Sequence, residues 1–198
     1  TKNAKLYSQK KKFEKDSNYN KFAKDIIKLK EVLGLNNIPR RIECYDISNL
    51  RDFFSVGSMV VLIDGEPSKK EYRHFKIKDV GSQNDYAMLS EVLSRRLKHL
   101  DKENITEKES FYKKPDLILI DGGIGQLNAA ALVLSKSRLA KDIDIISIAK
   151  KEEMVFGKKY PYGLKFDKEE NFLRILIKAR DEAHRFAISY HKKIRDKS

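Results

Sequence analysis

Two hydrophobic rhythms alternate along this chain, one with the period of a helix and one with the density of a buried strand. Residues 20–34, NKFAKDIIKLKEVLG, place Phe22, Ile26, Leu29 and Leu33 at helical spacing, with Gly34 as a stop. Pro39 breaks the pattern, and Ile42 to Ile47 then reads as a buried strand. SVGSMVVLI (55–63) and KKEYRHFKI (69–77) are two further strands, joined by the turn Asp64-Gly65-Glu66-Pro67. Together these predict a three-strand antiparallel meander.

The second half alternates helix and strand. DYAMLSEVLSRRLKHL sets Met88, Val92, Leu93, Leu97 and Leu100 on one helical face, with Asn84 or Asp85 as its N-cap. After a polar loop over 101–114, PDLILID is a strand and GQLNAAALVLSK a helix. DIDIISIAK (142–150) is another strand, and residues 151–168 are irregular, with a short hairpin around Gly157 and Tyr160-Pro161-Tyr162-Gly163. The closing helix carries Phe172, Leu176, Ala179, Ala183, Phe186, Tyr190 and Ile194 as its apolar stripe. The order βββ-α-β-α-β-α predicts a mixed five-stranded sheet with helices on both faces. The handedness of crossovers sets the strand of Asp121 parallel to, and beside, the first strand, which carries Asp46.

Composition narrows the chemistry. No run of eighteen apolar residues occurs, so a membrane span is excluded, and no apolar segment follows the lysine-rich N-terminus as a secretory signal requires. Thr1 is no initiator, which points to a fragment of a longer protein. One cysteine, Cys44, fits a reducing cytoplasm. The 42 basic residues outnumber the 29 acidic ones, for a net charge of +13. Residues 1–39 alone hold ten lysines against four acids, net +6. Such an excess points to a polyanion, nucleic acid first, although a lysine-rich composition also follows from an AT-rich genome. Residues 1–38 are read as a basic linker with a lead-in helix, and 39–198 as the folded domain.

Two carboxylates at neighbouring strand ends repel unless a cation lies between them. A hard divalent ion with oxygen ligands, Mg2+ or Mn2+, suits Asp46 and Asp121, and could activate a water for phosphodiester cleavage. The competing reading is two unrelated turn acids. Gly122 and Gly123 leave room for a substrate backbone. On the last helix His184 lies about one hundred degrees off the apolar stripe, a structural histidine or a metal ligand and proton-transfer group. Arg180 and Arg185 flank it as candidate phosphate contacts, and Asp181 and Glu182 are acids that could pair with them. Other sites fail: GGIGQLN has Asn128 where a dinucleotide fingerprint needs glycine, and no Walker, HExxH or G-x-S-x-G pattern occurs.

The strings RIECYDIS, EYRHFKIK, NDYAMLSEVLSRR, PDLILIDGGIGQLNAA and RDEAHRFAISYHKK resemble, in order, the C-terminal endonuclease domain of the UvrC excision-repair family. The resemblance runs from about residue 39 to 195. It implies a ribonuclease-H-like fold and a metal-dependent Asp-Asp-His centre, here Asp46, Asp121 and His184, with a further acid at Asp85. It also implies the 5′ incision beside a lesion in damaged double-stranded DNA, and work with a UvrB–DNA complex through regions outside this chain. At one position the chain departs, since Asn49 follows DIS where the family usually has histidine. A DNA-binding module without activity, and a small-molecule α/β enzyme, are the competing classes.

Overall fold

The computed structural model describes residues 22–49, 55–77, 84–101 and 110–195. The lysine-rich lead-in and the centre of the loop over 101–114 lie outside them. A single sheet forms the middle of the molecule. Its strands are β1 (Arg41–Asn49), β2 (Ser55–Ile63), β3 (Glu66–Pro67), β4 (Arg73–Lys76), β5 (Leu117–Asp121), β6 (Asp144–Ala149), β7 (Met154–Gly157) and β8 (Tyr160–Leu164). The helices are α1 (Ala23–Leu33), α2 (Asp85–Leu100), α3 (Ile124–Ser135) and α4 (Asn171–Arg195).

The sheet order is β3-β2-β1-β5-β6-β7-β8, with β4 also on β2. The five expected strands are therefore its core, in the order β4-β2-β1-β5-β6, and the sheet grows to eight at its edges. One extension is the β7–β8 hairpin, where the sequence predicts a short hairpin around Gly157 and Tyr160. The other, β3, falls in the expected turn, whose last two residues, Glu66 and Pro67, pair with β2. Asp64 and Gly65 both adopt positive φ, 51° and 83°, the geometry of a tight hairpin turn. The return strand pairs for only two residues, because Pro67 has no N–H to continue the ladder. A 3-10 turn over Lys69–Glu71 follows, and pairing with β2 resumes at Arg73.

β1 and β5 run parallel, with Ile42 opposite Leu117 and Tyr45 opposite Ile120. Alternation along each strand separates two cores. On one face Ile42, Cys44, Val60, Leu62, Leu117 and Leu119 pack against α1 and α4. On the other, Tyr45, Met59, Val61, Ile118 and Ile120 pack against α2 and α3. α1, assigned above to the lead-in, contributes Ile26, Leu29 and Leu33 to the first core.

A charge cluster interrupts the second face. Glu43, on β1, is fully buried and accepts hydrogen bonds from Arg96 Nη2 at 2.6 Å, Arg41 Nε at 3.2 Å and the Tyr45 hydroxyl at 2.8 Å. Burial alone would raise its pKa, but the guanidinium groups of Arg96 and Arg41 outweigh that and hold it below the usual carboxylate range. Arg96 also donates to the Phe111 and Lys113 carbonyls, which ties the segment entering β5 to α2.

Candidate metal centre

β1 and β5 deliver the first two ligands by register. Tyr45 pairs with Ile120, so the next residues of the two strands, Asp46 and Asp121, stand side by side where the parallel pairing ends; Asp121 closes β5, while β1 continues to Asn49. Both share the face of Cys44 and Leu119, under α4. Towards its C-terminal half α4 buries Ala179, Ala183 and Ala187, one per turn, and such small side chains let a helix lie close to a sheet. The residue after Ala183 is then aimed at the strand ends. It is His184, and one ligand atom from each of Asp46, Asp121 and His184 lies within 4.8 Å of the other two. Asp46 is buried, Asp121 half-buried and His184 exposed, so the group opens to solvent on the helix side.

Electrostatics mark the same place. Burial, and then the neighbouring Asp46 carboxylate, push the Asp121 pKa up to about 6, while Arg180 and His184 pull it down. A cation between the carboxylates removes the repulsion that raises it. Two carboxylates and one imidazole facing an open side therefore fit a divalent ion that keeps free coordination positions. Below the pair, Cys44 is fully buried, and burial with the two aspartates drives its thiol pKa upward, so it stays a neutral packing group. In front of the pair, Gly123 has an ordinary φ of −90°, yet a Cβ there would meet nothing within 4 Å. The open ground is at Gly123, whereas the position of Gly122, next to Asp121, is crowded by the Gln126 side chain.

The remaining sequence candidates divide. Asp85 is the first residue of α2 and does not join the three-residue group. The cap is Asn84, whose Oδ1 accepts the Ala87 N–H at 3.2 Å. Arg180 is almost wholly buried, and its guanidinium is taken up by Glu153 and Asp181. That leaves it no open face for a phosphate, contrary to the expectation from sequence. Arg185 is exposed but paired in a fork with Glu182, by bonds of 2.7 Å to each carboxylate oxygen. Asn49 ends β1, and its side chain lies outside the described set.

Sequence reasoning missed Glu153. It is distant from the motif strings, and nothing in KKEEMVFG singles it out from its neighbours. It also missed Ser58, which stands opposite Asp46 on β2 and whose Oγ lies 3.2 Å from His74 Nδ1.

Comparison with known proteins gives the family. The UvrC RNAse H endonuclease domain matches residues 30–188. This chain belongs to that UvrC family. UvrABC system protein C of Citrifermentans bemidjiense is 43% identical over 187 residues, covering 87% of this chain and 28% of its own length. The UvrC of Syntrophomonas wolfei is 44% identical and covers 93% of this chain and 30% of its own length. That of Fusobacterium nucleatum is 42% identical over 176 residues. The chain thus spans less than a third of these UvrC relatives. Among solved structures, endonuclease V of Ciona intestinalis in complex with inosine-containing DNA overlaps 57% of the chain and 46% of its own, at 19% identity and a TM-score of 0.40.

Proposed function

We propose that this domain is a metal-dependent DNA endonuclease that makes the 5′ incision beside a lesion in bacterial nucleotide excision repair. In the full-length protein it would occupy the C-terminal part and act on UvrB–DNA complexes through segments outside this chain. The observation that carries the reading is the convergence of Asp46, Asp121 and His184 where the parallel pairing of the two central strands β1 and β5 ends. A bound Mg2+ or Mn2+ would supply an activated water and neutralise charge on the phosphate.

The chain's own residues do the rest. Asp46 and Asp121 hold the ion from a rigid strand pair, which fixes its position against the sheet. His184 comes from the exposed side, where it can complete the ligand set or move a proton at the leaving oxygen. The open ground at Gly123 admits a phosphodiester backbone. Arg185 sits at the rim and would have to leave Glu182 to meet a phosphate. Asp85, at the start of α2, is a further acid for the same reaction. The net charge of +13 gives the attraction for DNA without sequence preference.

The test measures nicking of damaged duplex and DNA affinity on the same protein. Asp46→Asn and Asp121→Asn are each expected to abolish incision and leave affinity intact, because phosphate contacts rest on basic groups elsewhere. Nicking at the wild-type rate by either variant overturns the metal-pair reading. DNA affinity without any nicking by the wild type would favour a non-catalytic DNA-binding module.

A further inference from the structure

Arg180 is a buried cation with no task in the proposed reaction, and it is held in an unusual way. Its guanidinium makes a forked contact with Glu153, one bond being 3.3 Å from Nη2 to Oε1, and it also reaches Asp181 Oδ1 at 3.0 and 2.8 Å. Glu153 has a φ of +54°, in the left-handed region that strains a side-chain-bearing residue. A turn that only had to reverse direction would be served better by glycine. The turn between β6 and β7 that bears Glu153 follows Ile148, the residue paired with Asp121, whose neighbour Gly122 donates to the Ile148 carbonyl at 3.1 Å. Glu153 therefore grips Arg180 beside the metal-ligand cluster.

The position of Arg180 on α4 gives that grip a purpose. It lies four residues before His184, on the same helix face and one turn, about 5.4 Å, away. Its side chain is long enough to span that offset, and its planar fork matches a carboxylate pair. Its charge already acts on Asp121 and Cys44 from its present place. Resting on the proposed metal centre, we propose that Glu153 is a positioning residue: it holds the Arg180 guanidinium back from Asp46 and Asp121, so that this cation does not occupy the site of the divalent ion. Asp181 alone is a weak restraint, since its carboxylate is 61% exposed and screened by solvent, whereas Glu153 is 12% exposed.

The experiment is titration of this chain with Mn2+ alone, by calorimetry, with circular dichroism to verify folding. Glu153→Gln keeps the shape and removes the charge. Glu153→Gly also removes the charge, and it adopts the left-handed backbone without strain. Both are expected to weaken Mn2+ binding by roughly tenfold, the lower range for groups that orient metal ligands. The double variant Glu153→Gln with Arg180→Met, which removes the competing cation, is expected to recover wild-type affinity or better. A merely structural Glu153 predicts no such recovery, because the second substitution would add damage. Wild-type affinity in both single variants, or a double variant as weak as Glu153→Gln, overturns the proposal. Asp121→Asn is run alongside. If the wild type binds Mn2+ no better than that variant, the metal centre itself is wrong and the inference falls with it. If Asp121→Asn alone loses the ion, only the role of Glu153 is refuted.

Discussion

Asp121 keeps its proton up to about pH 6, because it is partly buried and faces Asp46. An acid whose folded pKa lies above the ordinary 3.8 favours the fold while it is protonated. That contribution is full below the ordinary value and is lost as pH rises through about 6. A divalent ion competes with the same proton. Mn2+ affinity is therefore expected to fall as pH is lowered through about 6, approaching tenfold per pH unit below it. Melting temperatures at several pH values with and without Mn2+ check both signs: the gain from Mn2+ should be large at pH 7 and small at pH 5. A gain independent of pH would mean that Asp121 does not hold the ion. His184 differs because it is exposed. His184→Ala is expected to cut incision by roughly 10²-fold or more while hardly moving the melting temperature. A destabilised variant that still nicks in proportion to folded protein would remove His184 from the site.

At the scale of elements, α4 places one ligand against two others carried by the sheet. It packs across β1 and β2 through alanines, and each alanine sets how near the helix axis can come. Ala183 is fully buried and precedes His184. Ala183→Leu is expected to cost about 1–3 kcal/mol by overpacking. It should also cut nicking by more than the folded fraction explains, because the lifted helix carries His184 away from Asp46 and Asp121. Urea denaturation and nicking measured at matched folded fraction distinguish this from simple destabilisation. The helix stripe was legible from spacing alone: Phe172, Leu176, Ala179 and Ala183 are all buried as expected. Phe186 and Tyr190 serve another end. They stack on His74 of β4, with ring centroids 3.8 and 4.3 Å away, and so tie the sheet edge to the helix.

Over the whole molecule the site lies on one face of the sheet and the buried Glu43–Arg96 cluster on the other. Because Glu43 is on β1, three residues before Asp46, the cluster braces the strand that presents the first ligand. The charge balance acts at longer range. Affinity for undamaged duplex is expected to be independent of sequence and to fall with salt, its logarithm by roughly 0.9 per phosphate contacted for each tenfold rise in salt. Fluorescence anisotropy between low and physiological salt reads the slope. A flat titration would contradict a phosphate-dominated surface and favour a small-molecule site. Among the described residues, no helix is long and apolar enough to cross a membrane.

Hydrophobic period, turn residues and motif order were enough, by themselves, to determine five core strands, the helices on both faces and the neighbouring acids of β1 and β5. These are local signals: alternation decides faces, and a crossover between parallel strands has few routes. The end of β3 was also written locally, in Pro67, which the sequence places at the close of a four-residue turn. The roles of Arg180 and Glu153 were not legible. An arginine beside a histidine on a helix reads as a phosphate contact until its partner is known, and that partner lies 27 residues away on another element. Pairing of charges across such a distance depends on how the β6–β7 turn meets α4, which no local period encodes. Only tertiary packing decided that Arg180 faces inward to an acid, and that Asp46, Asp121 and His184 converge within 4.8 Å.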